Sequence, residues 1–129
     1  MNYLYPNQLL FLHKRVIEAS GGSQGVRDQG LPESAVYRPQ ASFAGADLYP
    51  DLFSKAAALG HSLIKNHPFV DGNKRTGFES MRLFLRMNGF DLKAGEDQKY
   101  DFIMKIASSS ELAEHQIAEW LRSRSRKRS

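Results

Sequence analysis

Apolar side chains recur at three-, four- and seven-residue spacings along almost the whole chain, the pattern of helices that each bury one face. Leu9, Leu12 and Val16, with Leu10 and Ile17, set this period from about residue 7, and Gly21-Gly22 ends it, so a first helix is predicted over about 7–20. A short second helix is predicted around Glu33 to Arg38: Pro32 suits a first turn, and Pro39 pushes the residue before it out of the helical region. Pro39 to Pro50 mixes Gly, Pro, Ser and Ala with Phe43 and Tyr49, which predicts a loop or flap with runs too short for convincing strands. From Asp51 the helical period returns through Phe53, Ala56, Ala57, Gly60, Leu63 and Ile64, and Pro68 stops it near Asn66. A fourth helix follows with Phe78, Met81, Phe84, Leu85 and Asn88, closed by Gly89. Glu96 and Asp97 open a fifth, through Tyr100, Ile103, Ile106 and Ala107, broken by Ser108 to Ser110. A sixth carries Leu112, Ile117, Trp120 and Leu121. Its start is open between a Ser110 cap and a later onset. The expected fold is all-α, a single-domain bundle of about six helices around one core.

Composition removes several classes of function. With 129 residues the chain suits one domain that needs no staple. Zero cysteines exclude disulfide frameworks, thiolate metal sites and Cys nucleophiles, and fit a reducing compartment. No apolar run approaches the roughly 18 to 20 residues of a membrane span, so a cytoplasmic protein is expected. The net charge of +4 is concentrated in Arg122, Arg124, Arg126, Lys127 and Arg128. Residues 123–129 therefore read as a basic, disordered Ser/Arg tail on a domain of residues 1–122, with a salt-sensitive polyanion contact as the alternative.

One segment departs from helix-building logic: His67-Pro68-Phe69-Val70-Asp71-Gly72-Asn73-Lys74-Arg75. Gly72 and Asn73 adopt unusual backbone angles most easily, so successive N–H groups can converge as an anion nest. The nest falls at the start of the fourth helix, where unpaired N–H groups and the helix dipole favour phosphate, and Lys74 and Arg75 add full charges. A polyphosphate is the matching guest. Asp71 beside bound phosphates suits Mg²⁺, which takes one or two carboxylates and keeps its waters. The imidazole of His67 suits a general base toward an attacking hydroxyl. Taken singly, these residues also read as a helix cap, a turn and solvated charges. A metal-hydrolase trio of His61, His67 and Asp71 matches no common metal spacing.

The segment resembles the signature of the Fic/Doc superfamily, H-P-F-x-[D/E]-G-N-[G/K]-R, at every fixed position from His67 to Arg75. Flanking words resemble its Doc (death-on-curing) branch: residues 25–40 (GVRDQGLPESAVYRPQ), SLIKN before His67, and LFLRMNGFDL at 83–92. The resemblance spans about Tyr5 to Arg122. It implies a helical bundle with His67 as base, Asp71 holding Mg²⁺, and Gly72, Asn73 and Arg75 cradling the phosphates of ATP. Two positions depart from the AMP-transferring pattern: Lys74 replaces a glycine, and Phe78 replaces a closing arginine. Both are typical of Doc, which implies a kinase-type toxin whose site includes Lys74 and Arg75, acting on a threonine of elongation factor Tu. The same resemblance implies a partner antitoxin whose disordered segment folds on the toxin, and a flap at residues 38–49 beside the loop. Arg27-Asp28 reads as a turn pair or a target contact. Ser110-x-x-x-Glu114 partly matches an inhibitory element of some Fic proteins, with His115 where Gly or Asn belongs. The alternatives are Fic-type nucleotidyl transfer to a protein hydroxyl, and an idle module that binds nucleic acid through the tail.

Overall fold

The computed structural model describes residues 1–108 and 112–128. Six helices dominate: α1 (Pro6–Ser20), α2 (Gly30–Tyr37), α3 (Leu52–Asn66), α4 (Asn73–Met87), α5 (Glu96–Ala107) and α6 (Glu114–Ser123). Four short strands accompany them: β1 (Ser42–Phe43), β2 (Ala46–Asp47), β3 (Phe90–Leu92) and β4 (Ser125–Lys127). The mostly helical, single-core architecture expected from the periodicity is present.

Helix α3 is the axis of the bundle, in contact with α2, α4, α5 and α6. Lys55 to Gly60 and Ser62 to Ile64 are all buried, because neighbours surround it on nearly every side. Asp51 starts it by accepting the Ser54 N–H at 2.8 Å, while Ser54 Oγ accepts the Asp51 N–H at 3.2 Å, a reciprocal cap. Helices α3 and α4 approach so closely that a Cβ on Gly60 would run into Met81, and one on Gly77 into Ile64. The two helices that flank the motif segment are thereby locked together. Phe78, fully buried, meets Phe102 and Trp120 edge-on, and these two stack at 3.6 Å. The position of the missing motif arginine is thus a core position beneath α5 and α6.

Two expectations change, and one left open is decided. The 38–49 segment is a 3₁₀ turn (Arg38–Gln40) followed by a hairpin in which β1 pairs with β2, Ser42 opposite Asp47. Its turn residues Ala44 and Gly45 both have positive φ, 52° and 83°, the conformation that suits two-residue hairpins. Buried Lys55 ties down the base of this flap, donating to the Pro39 carbonyl at 3.2 Å and lying 3.6 Å from Asp47 Oδ2. Residues 125–127 of the expected disordered tail are instead strand β4, antiparallel to β3 with Asp91 opposite Arg126. The pairing extends through Lys93 N–H to the Arg124 carbonyl and Arg128 N–H to the Gly89 carbonyl. Charge keeps these side chains in water but leaves the main chain free to pair, and Asp91 (3.6 Å from Arg128) and the Trp120 ring (4.4 Å from Arg124) receive two of the cations. Helix α6 starts at Glu114 with Ala113 as N-cap; the alternative cap, Ser110, lies outside the described residues.

Candidate active site

The motif segment begins where α3 ends. His67 takes the left-handed conformation (φ 49°, ψ 60°), an unusual state for a non-glycine residue. Two exposed carbonyls at the helix end, those of Asn66 and His67, accept from the Arg27 guanidinium at 2.7 and 2.6 Å. A cation at the negative end of α3 steadies the turn that carries His67. The strand-like stretch Gly25 to Arg27 runs alongside, with Val26 bridged to Phe69, Arg27 N–H donating to Pro68 O and Val70 N–H donating to Gly25 O. Arg27 therefore braces the loop, whereas the Asp28 side chain is local, accepting the Gly30 N–H at 3.0 Å.

Beneath the loop, Phe69 is buried, and Asn73 encloses its main chain. Asn73 Oδ1 accepts the Phe69 N–H at 2.9 Å, and Asn73 Nδ2 donates to the Phe69 carbonyl at 3.0 Å. The Phe69 ring lies on buried His13 of α1, centroids 3.8 Å apart and planes within 6°. His13 Nε2 also sits 2.8 Å from the Asp71 carbonyl oxygen. Gly72 follows with φ 75°, a conformation that favours glycine, and a Cβ there would come within 2.7 Å of Ile17 Cδ1 and push that methyl aside.

Helix α4 begins at Asn73, and its first main-chain bond runs from Thr76 N–H to the Gly72 carbonyl. The N–H groups of Asn73, Lys74 and Arg75 precede that bond and form the positive end of the helix. Lys74 and Arg75 are exposed and have no ion-pair partner among the described residues. An open cleft of about 310 Å³ is lined by His67, Asp71, Gly72, Asn73, Lys74 and Arg75, with Ser20 and Gly21 on its far side. Every expected site residue lines this one cleft. Asn73 does so with its side chain turned into the loop, which leaves its main-chain N–H on the nest.

The carboxylate of Asp71 is aimed by main-chain donors. Gly72 N–H donates to Oδ1 at 2.9 Å and Ser23 N–H to Oδ2 at 3.1 Å, leaving lone pairs for a further ligand. Gly22 leaves the space beside it, since a Cβ would lie 2.7 Å from Oδ2. A single carboxylate facing a phosphate nest fits Mg²⁺ arriving with a nucleotide, whose phosphates and waters fill the other positions. Among the described residues no group of three metal-ligating side chains exists, so a free-standing metal centre is not built.

His61 does not join the site. It is half-buried near Arg38, Glu114 and Lys65, and burial lowers its pKa from the ordinary value. Arg38 donates to both oxygens of Glu114, at 3.1 and 3.3 Å, so the one described member of the inhibitory pattern is held by Arg38. His13 and Ser23 are the participants that local patterns missed, and Arg27, read as a turn pair or a target contact, is instead the brace of the loop. The available signal for His13 was a histidine on a face of α1 otherwise made of Leu9, Val16 and Ile17.

Residues 3–85 match the Fic/DOC family. The chain is 53% identical over 92 residues to a protein named Toxin Doc from Mycolicibacterium smegmatis, covering 70% of this chain and 71% of that one. It is 32% identical over 122 residues to one named Protein kinase doc from Escherichia phage P1, covering 95% and 94%.

Proposed function

Because this chain belongs to the Fic/DOC family, close to its Doc toxins, we propose that it is a Doc-type toxin, a phosphotransferase that uses ATP and Mg²⁺ to modify a protein. The observation that carries this reading is the meeting of His67, Asp71, the amide end of α4 and the exposed cations Lys74 and Arg75 in one cleft. Among the described residues no helix is long and apolar enough to cross a membrane. A cytoplasmic location is part of the proposal, since the substrates proposed are cytoplasmic.

The reaction is phosphoryl transfer to a hydroxyl. The target oxygen forms a bond to the γ-phosphorus of ATP while the bond from that phosphorus to the β–γ bridging oxygen breaks, and ADP leaves. A ring nitrogen of His67 takes the hydroxyl proton. The N–H groups at the start of α4, with Lys74 and Arg75, hold the phosphates and offset the charge spread over the transferring group. Asp71 would hold Mg²⁺, which when bound neutralises phosphate charge. Positioning and charge neutralisation suffice for this chemistry, so no kinase fold is required. The target proposed is a threonine of elongation factor Tu, presented alongside the β1–β2 flap, and the neutralising partner is an antitoxin segment that folds on binding.

The test is to incubate the protein with Mg²⁺, elongation factor Tu and ATP labelled at either the γ or the α phosphate. Transfer of the γ label alone supports the kinase reading, and transfer of the α label replaces it with nucleotidyl transfer. His67→Ala should abolish transfer with ATP affinity nearly unchanged, because a loop base acts on the transition state more than on packing. Full transfer by that variant removes His67 as base.

A further inference from the structure

We propose that His13 is a positioning residue for the transfer reaction: it locks the peptide between Asp71 and Gly72 and so fixes where the Asp71 carboxylate points. The inference rests on reading the cleft as the phosphotransfer site. His13 is 3% exposed, among apolar neighbours on α1, where an imidazole without a hydrogen bond would be destabilising. Its Nε2 lies 2.8 Å from the Asp71 carbonyl oxygen, and a carbonyl only accepts, so Nε2 carries the proton and donates.

That bond has a consequence at the cleft. The Asp71–Gly72 peptide is held at both ends: its oxygen by His13, and its N–H by Asp71 Oδ1 at 2.9 Å. Gly72 tolerates either orientation of the peptide before it, so the turn has an accessible alternative in which that plane is flipped. Flipping would withdraw the N–H from the carboxylate and displace the N-cap of α4. The ring stack on Phe69, whose main chain Asn73 encloses, keeps the imidazole in place to prevent this. His13 touches no expected reacting atom and acts through Asp71.

Two variants of the full chain separate the bond from the stack. His13→Phe keeps an aromatic plate on Phe69 but has no donor; His13→Gln keeps an N–H donor but has no ring. For His13→Phe we expect native helix content and amide exchange at Gly72, whose N–H is bonded to Asp71 Oδ1, raised about tenfold or more. The kcat should fall, and the Mg²⁺ concentration for half-maximal transfer should rise, each by roughly 10- to 100-fold, the range seen when a ligand loses its supporting hydrogen bond. The KM for ATP should move less than about threefold, and His13→Gln should recover most of the loss. In the unaltered protein, imidazole ¹⁵N spectra should show a proton on Nε2. A bare Nε2, or a folded His13→Phe with unchanged Gly72 exchange, kcat and Mg²⁺ dependence, overturns the assignment. Should His13→Phe not fold, native-like Gly72 exchange in His13→Gln supports the assignment, and a tenfold rise there overturns it. If the protein proves to have no phosphotransferase activity, that function fails alone, because the spectrum and the exchange rates still decide what His13 holds.

Discussion

Asn73 is the motif residue whose role the fold most alters, and Asn73→Ala tests it. Its side chain is buried and makes two hydrogen bonds, to both polar groups of the Phe69 main chain, at 2.9 and 3.0 Å. Phe69 is 1% exposed, so water cannot readily replace either bond. Leaving a buried donor or acceptor unpaired costs about 1 to 3 kcal/mol each, so the substitution should destabilise the protein by about 2 to 6 kcal/mol. Against a typical total of about 5 to 15 kcal/mol that is a large fraction. At about 4 °C per kcal/mol for a domain of this size, it lowers Tm by roughly 8 to 24 °C. Urea denaturation with a constant slope measures the free energy, and calorimetric titration of ATP measures the site at a temperature where the variant remains folded. A loss below about 0.5 kcal/mol combined with abolished ATP binding would refute the reasoning, since it would make the side chain a phosphate ligand and not a staple. Asn73→Asp should fall between: one oxygen still accepts from Phe69 N–H, while the other meets the Phe69 carbonyl and repels it.

Asp71→Asn should raise the Mg²⁺ needed for half-maximal transfer by tenfold or more, and an unaltered Mg²⁺ titration would remove Asp71 as the ligand. Ending the chain after Ser123 removes β4, leaves β3 unpaired and uncovers Leu92, which is 6% exposed. Urea denaturation should show a loss of about 1 to 3 kcal/mol with transfer kinetics unchanged, whereas a disordered tail would leave stability untouched. His61, its pKa lowered by burial, binds protons more readily unfolded than folded. Its contribution to stability is present above the unfolded value near 6.5 and is lost as pH falls through the folded value, so His61→Gln should flatten the acid limb of a Tm-against-pH profile.

The helices and the site loop were legible in the sequence because their causes are local. A period of 3.6 in apolar positions, Pro68 after Asn66 and the acidic pair Glu96-Asp97 each act within one or two turns, and the helices lie where these signals place them. The nest is also local: Gly72 supplies the left-handed step and α4 its amides, all within four residues. What tertiary structure alone decided are bonds between distant segments. His13 meets Asp71 across 58 residues, Arg27 meets His67 across 40, and β4 finds its partner in β3 by register along an edge. Periodicity states which face of α1 is inward but not which carbonyl will lie opposite His13, because that depends on how α1 and α4 pack. For the same reason a basic tail reads as solvated from its charge, yet forms a strand where an unpaired edge lies within reach.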